Sequence, residues 1–196
     1  MTTRPRSILP LAAAALLAAG VGAAEAFAPS GTGAANSRWT SVASGFTGFA
    51  GTPATITWSI VPDGTLVENL TAINEPSDLI ARLDATFGGS GSADLRTRPW
   101  FRLFDDAFSR LGEVSGLTVV YEPNDDGVLH NSTPGSLGVR GDVRLGGIGL
   151  DGSRGVLAYN YFPVDGGDMA IDTDDLPTSF SNASGDFREL RNTVMH

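Results

Sequence analysis

Carboxylates dominate one stretch of the last third of the chain. Between Gly141 and Gly185 there are seven aspartates, many glycines, and no glutamate or lysine. So many carboxylates repel one another unless water solvates them or a cation collects them. Carboxylate and backbone carbonyl oxygens on flexible turns are the ligands that Ca²⁺ prefers. A solvated acidic loop and a calcium-binding loop are both open interpretations. The aspartates are Asp142, Asp151, Asp165, Asp168, Asp172, Asp174 and Asp175.

The order of these aspartates does not fit an EF-hand. Such a loop needs glycine at its sixth position and glutamate at its end. A loop that began at Asp172 would have Pro177 in the sixth position, and no glutamate closes it. Any calcium site in this segment must therefore have another geometry.

The chain contains two histidines, and one of them could hold a transition metal. His196 follows a segment from Asp186 that reads as a helix, with Asp186 as N-cap and Glu189 reaching back to it. The apolar residues of this helix share one face, and His196 falls roughly opposite them. An imidazole that points away from the core suits a cleft ligand, although a terminal histidine alone is more often solvated. His130 lies in a loop and is expected to be exposed.

The remaining composition restricts the class of protein. The formal net charge is −9, there is no lysine, and the arginines are scattered, so a nucleic acid partner is not expected. The chain has no cysteine and hence no disulfide. Arg4 and Arg6 precede an apolar run that ends at Ala24-Glu25-Ala26, which predicts a signal peptide over residues 1–26 and a secreted protein. Residues 27–37 read as a flexible leader, and no membrane association is expected after cleavage.

Periodicity predicts the elements that would position these groups. Residues 54–61 alternate in polarity and predict a half-buried strand. Pro76 is expected to open a short helix that ends at Gly88-Gly89, and the best helix follows Pro99 and stops at Gly116. Further strands are predicted over 117–121, 143–145 and 156–162. This order indicates an α+β domain over residues 38–196, with a twisted mixed sheet and packed helices.

The order of motifs in the acidic segment resembles the metal-loop stretch of matrixins, which are zinc endopeptidases of the metzincin class. Asp151 to Tyr159, followed by Gly166 to Asp175, is similar to the family pattern DGxxGxLAHAxxP and then GGDAHFDxDE. The likeness extends upstream through the strand at 54–63, the helix and strand at 106–121 and the run Gly141 to Leu145. It covers about residues 38–196, with an unmatched insertion near 69–98.

The resemblance implies two calcium sites. The first would use the carboxylates of Asp151, Asp172 and Asp175, and the second those of Asp142 and Asp168. Backbone carbonyls would complete both sites. These belong to Gly152, Arg154 and Val156 in the first site, and to Val164 and Gly166 in the second.

The same resemblance implies one departure from the family and one shared feature. Tyr159 and Ala170 replace the two histidines of the family's structural zinc, so that ion is not expected. The strand that contains Leu157, Ala158 and Tyr159 would be the edge of the sheet, where matrixins pair with an extended substrate. An ordinary protected edge strand is the alternative.

The end of the chain resembles the run that leads into HExxHxxGxxH, the catalytic zinc motif of matrixins. His196 would be the first zinc ligand, and the chain would be cut off before the general-base glutamate, the other two histidines and the C-terminal subdomain. We therefore expect a secreted endopeptidase that hydrolyses peptide bonds with zinc-activated water, inactive in this truncated form. The alternative is a secreted calcium-binding surface or adhesion module without catalysis.

Overall fold

The predicted mixed sheet is present in a computed structural model, which describes residues 38–48, 51–89, 91–163 and 166–195. Its five strands lie in the order β6-β3-β7-β9-β8. Neighbouring strands are parallel except for β8, which runs antiparallel to β9 at one edge. These strands are β3 (Thr55–Ile60), β6 (Thr118–Tyr121), β7 (Val143–Ile148), β8 (Ala158–Asn160) and β9 (Met169–Asp172). The class is α+β, as expected.

Two small hairpins and three helices accompany the sheet. The first hairpin joins β1 (Ser41–Val42) to β2 (Gly45–Phe46), and the second joins β4 (Leu66–Glu68) to β5 (Asn74–Pro76). The helices are α1 (Leu79–Phe87), α2 (Phe101–Ser115) and α3 (Arg188–Met195), with short 3₁₀ turns at Leu95–Thr97, Thr173–Asp175 and Ala183–Gly185. Within the described residues, no helix is both long and apolar enough to cross a membrane.

Helix α2 forms the centre of the main core. Its aromatic stripe packs on β3, where the Trp58 ring stacks against Phe101 and Phe108, with ring centroids 5.5 and 4.6 Å apart. Gly116 ends the helix in the left-handed conformation, with φ 72°, as predicted. The apolar period of this helix extends to Val114 and predicts that this residue is buried, but Val114 is 61% exposed because the last turn of α2 lies in solvent.

Strand β3, which lies between β6 and β7, differs from the half-buried strand that its alternation predicts. Both of its faces are buried, including the polar residues Thr57 and Ser59. The Ser59 hydroxyl donates to Asp125 Oδ2 at 2.7 Å, and it accepts from the Gly141 amide at 3.0 Å. Alternation reports which face is polar, but here loop residues cover the polar face and satisfy its hydroxyls.

Two predicted helix starts are wrong. Pro76 is the last residue of β5, and α1 begins at Leu79, where the Asp63 carboxylate accepts from the amides of Ile80 and Ala81 at 2.9 Å each. Asp186 is in the left-handed region with φ 54°, whereas an N-cap is normally extended. Its carboxylate instead pairs with Arg191 at 2.9 Å.

The β4–β5 hairpin, Leu66–Pro76, covers the face of the sheet opposite the helices and was not predicted. Val67 is fully buried against Ile148 and Ala170 in a small second apolar cluster. Tyr159 packs against the same cluster. The hairpin starts just before the predicted insertion and makes up its first part.

Candidate functional site

A cleft of about 870 Å³ separates the edge strand β8 from helix α3. Leu190 and Val194 of α3 point into the core, so the other side of this helix faces the cleft. One wall is mainly apolar and comes from the sheet, and the other is polar and comes from α3 and the turn before it. The lining residues are Leu157, Ala158, Tyr159, Asn160, Phe162, Met169, Asn182, Gly185, Arg188, Glu189, Asn192 and Thr193.

Strand β8 has one paired and one free edge among the described residues. It pairs with β9 through the register Ala158↔Ile171, Tyr159↔Ala170 and Asn160↔Met169. The strand is shorter than the predicted 156–162, but the amide of Tyr161 still donates to the Asp168 carbonyl at 2.9 Å. The prediction that this strand is at the edge of the sheet is confirmed. Such an edge presents backbone donors and acceptors to a further strand.

Two buried aspartates beside the loop 150–156 have the chemistry of a cation site. Asp172 and Asp175 are both fully buried. Asp172 Oδ1 accepts from the amide of Leu150 at 3.2 Å, and Asp175 Oδ1 accepts from the amide of Arg154 at 2.9 Å. The Oδ2 atom of each has no hydrogen-bond partner. A buried carboxylate oxygen without a donor is costly, and a bound cation would remove that cost.

Burial also disfavours the charge on Asp172. It raises the pKa of this carboxyl, although the amides of Asp174, Leu150 and Asp151 act in the opposite direction. A carboxyl group binds a metal ion in its ionised form. A bound cation would therefore offset the unfavourable effect of burial on the charge of Asp172.

The third predicted ligand of this site, Asp151, points elsewhere. It is exposed, and its two carboxylate oxygens accept from the amide of Val156 at 3.0 and 3.1 Å. Gly152 and Arg154 lie in the left-handed region, with φ 87° and 69°, so the loop curls around the carboxylate of Asp175. Within the described residues, no group of three or more His, Cys, Asp and Glu side chains is placed to hold a metal ion.

The second predicted calcium pair is engaged by protein donors. Asp142 accepts from the amides of Ala43 at 2.6 Å and Thr57 at 2.8 Å, and from the Thr57 hydroxyl at 2.8 Å. Asp168 accepts from the amides of Asn131 at 2.7 Å and Arg144 at 2.9 Å. Each carboxylate thus connects segments that are distant in the chain by accepting from their amides, and neither carboxylate has an unpartnered oxygen. Of the two carbonyl donors predicted here, Val164 lies outside the described residues, and the Gly166 carbonyl accepts from Trp39 Nε1 at 3.2 Å.

A buried charge network next to Asp168 was missed by the sequence reasoning. Arg144 is fully buried and binds Asp125 through two hydrogen bonds of 2.9 and 2.7 Å. Arg144 Nη1 also lies 3.9 Å from Asp168 Oδ2. The only signal in the sequence was an arginine within the predicted strand 143–145. Residues 19 apart in the chain form this pair, so periodicity could not reveal it.

His130 is buried, which corrects the expectation of an exposed loop histidine. It is 5% exposed, and its Nε2 lies 3.0 Å from the Arg144 carbonyl. Burial lowers the pKa of the imidazole, against the opposing charge of Asp168. The histidine is therefore buried, and it contacts β7 through the Arg144 carbonyl.

The positions where the family's structural zinc would have its histidines lie under the hairpin. Ala170 is buried against Val67, and the Tyr159 hydroxyl donates to the carbonyl of Glu68. Apolar packing and a hydrogen bond therefore hold Ala170 and Tyr159 in place.

The predicted zinc ligand His196 and the signal peptide over 1–26 lie outside the described residues, as does the leader 27–37. The preceding turn of α3 is described. Asn192 and Thr193 line the cleft, while Val194 is in the core.

The comparisons with known proteins give no relative. No family model, curated protein or solved structure matches this chain.

Proposed function

We propose that the protein is a secreted, zinc-dependent endopeptidase of the matrixin type. The observation that carries the proposal is the cleft between a free antiparallel edge strand and the helix that leads to His196. A peptide in an extended conformation could pair with β8 and run past the end of α3. A protein or peptide is therefore the proposed substrate.

Zinc is the proposed catalytic metal, with His196 as its first ligand. When bound, zinc would act as the Lewis acid that polarises the peptide carbonyl and activates water. A catalytic zinc needs about three protein ligands, so the proposal requires a glutamate and two further histidines after His196. The role of the described residues is to hold the substrate strand and to orient the helix. Leu190 and Val194 anchor that helix in the core.

Calcium is the proposed structural metal. The unpartnered oxygens of Asp172 and Asp175 support a site beside the loop 150–156, where its carbonyls could add further ligands. Asp151 could join only if its carboxylate left the Val156 amide. The second calcium site, at Asp142 and Asp168, remains a prediction that the hydrogen bonding of these carboxylates does not favour.

A calcium-binding surface or adhesion module without catalysis is the second candidate. The two unpartnered carboxylate oxygens favour it as much as they favour the peptidase, because a calcium site at these oxygens does not depend on a catalytic zinc. The two candidates differ in the residues that follow His196.

The coding sequence downstream of His196 separates the two candidates. We expect an in-frame continuation that gives Glu-x-x-His directly after this residue. A stop codon at that point in an intact transcript would contradict the peptidase and leave the binding module.

A further inference from the structure

The β4–β5 hairpin is attached to the proposed substrate strand itself. The hydroxyl of Tyr159, in the middle of β8, donates to the Glu68 carbonyl. The Tyr161 hydroxyl donates to Glu68 Oε1 at 3.3 Å, and the two tyrosine rings contact each other edge to face, with centroids 5.6 Å apart. Glu68 is the last residue of β4, so the turn that follows begins beside the edge of the sheet.

This turn has a defined conformation. Asn69 Oδ1 accepts from the amides of Thr71 at 2.9 Å and Ile73 at 3.0 Å, and Asn69 Nδ2 donates to Glu75. The Asn69 amide donates to the Ile73 carbonyl at 2.7 Å. Side chains in the turn are thus presented from a fixed backbone.

The turn exposes apolar side chains although the hairpin has a buried side. Val67 is fully buried, whereas Leu70 is 49% and Ile73 58% exposed. These two exposed side chains lie on a turn whose backbone is fixed by the Asn69 hydrogen bonds. Leu70 lies only two residues beyond Glu68, which contacts β8.

A peptide strand added to β8 would place alternate side chains on this face. Side chains alternate between the two faces of a sheet, and Tyr159 points toward the hairpin whereas Ala158 packs against the helical core. Side chains of the added strand on the Tyr159 face would therefore emerge next to the turn.

We propose that the hairpin extends the substrate-binding edge, and that Leu70 and Ile73 bind a large apolar side chain of the substrate on the Tyr159 face. The inference rests on the proposed peptidase function. It assigns part of substrate selection to an insertion outside the catalytic motif.

The test compares three forms of the full-length gene product: wild type, L70S/I73S and L137S. Leu137 is the matched control because it is also apolar and 59% exposed, but it lies in another loop. The substrates are ten-residue peptides in which a single leucine is moved through a serine-rich sequence, and kcat/KM is measured for each. We expect wild type and L137S to prefer leucine at one position by about tenfold, as for an apolar group that enters a binding site. L70S/I73S should lose that preference but keep its rate on the remaining peptides.

Retention of the full leucine preference by L70S/I73S would overturn the inference and leave the peptidase intact. Wild-type protein that cleaves no peptide at all would contradict the proposed function, and with it this inference. Thermal melts of the three proteins should coincide, because all three side chains are exposed.

Discussion

Single residues determine whether the acidic loop holds a metal. Asp172 and Asp175 are fully buried, and each has one oxygen without a donor. We predict that calcium stabilises the wild-type protein against thermal unfolding, by about 2.7 kcal/mol at a hundredfold excess over Kd. Asp172→Asn should strongly reduce this increment, because it removes the negative charge and leaves only a neutral carbonyl oxygen as a ligand. Melts in calcium and in chelator provide the measurement.

The control for this prediction is Asp105→Asn, an exposed aspartate of α2. It should keep the full calcium effect. In chelator, D172N should be at least as stable as wild type at neutral pH. Burial raises the pKa of Asp172, so above that pKa the folded state bears a charge that its surroundings disfavour. Identical wild-type melts with and without calcium would refute the calcium site.

The buried ion pair yields a second prediction at this scale. Arg144→Met would leave the Asp125 carboxylate buried without its cation, which typically costs about 3–5 kcal/mol. The matched control is Arg110→Met, because the pair of Arg110 and Glu113 is exposed on both sides and should contribute less than about 1 kcal/mol. Urea denaturation of both variants measures the difference. Equal losses would show that Arg144 does not stabilise the fold through its charge.

The position of the β4–β5 hairpin depends on packing against residues that are distant in the chain. We predict that Val67→Ala costs about 1–3 kcal/mol, because it removes two methyl groups from the cluster with Ile148 and Ala170. Leu66→Ala, at a neighbouring residue that is 45% exposed, should change stability by less than about 0.5 kcal/mol. Hydrogen exchange of the hairpin amides should be faster in V67A than in wild type, and unchanged in L66A. Unchanged exchange in V67A would mean that the hairpin is held by its hydrogen bonds to β8.

Elements with a strong local period were predictable from sequence, and those that depend on distant partners were not. The stripe of α2 and the alternation of β3 place Trp58 and Phe108 correctly in the core. The same alternation did not reveal that a loop covers the polar face of β3. The start of α1 is satisfied by Asp63, which is 17 residues from Ile80, so the nearer Pro76 was a misleading signal.

For the candidate site, the edge strand and two of the acidic residues were predictable, but the hydrogen-bond partners of the carboxylates were not. The resemblance to matrixins, and not local periodicity, implied the edge position of β8 and the choice of Asp172 and Asp175 as ligands; the sheet order confirms the edge position. The sequence could not show that Asp151 turns to the Val156 amide or that Asp142 and Asp168 are used by backbone donors, because side-chain rotamers and distant amides decide both. His130 was misjudged for the same reason, since its partner is the carbonyl of a strand residue.

In the whole molecule, the sheet, the cleft and the last helix form one arrangement. The core fixes α3 through Leu190 and Val194, and β9 fixes the edge strand, so the cleft between them is bounded by rigid elements. Sites on rigid elements hold substrate and metal ligands more accurately than sites on loops. Within the described residues, α3 ends at Met195, and Asn192 and Thr193 of its last turn line this cleft.

The most direct test of the peptidase proposal is cleavage of casein by the full-length gene product and its His196→Ala variant. The variant should lose activity to below detection and bind less zinc, because two remaining ligands hold a catalytic zinc poorly. Met195→Ala, which alters the last residue of α3 and a side chain that is 37% exposed, should keep the wild-type rate. Casein cleavage by H196A at the wild-type rate would contradict the account.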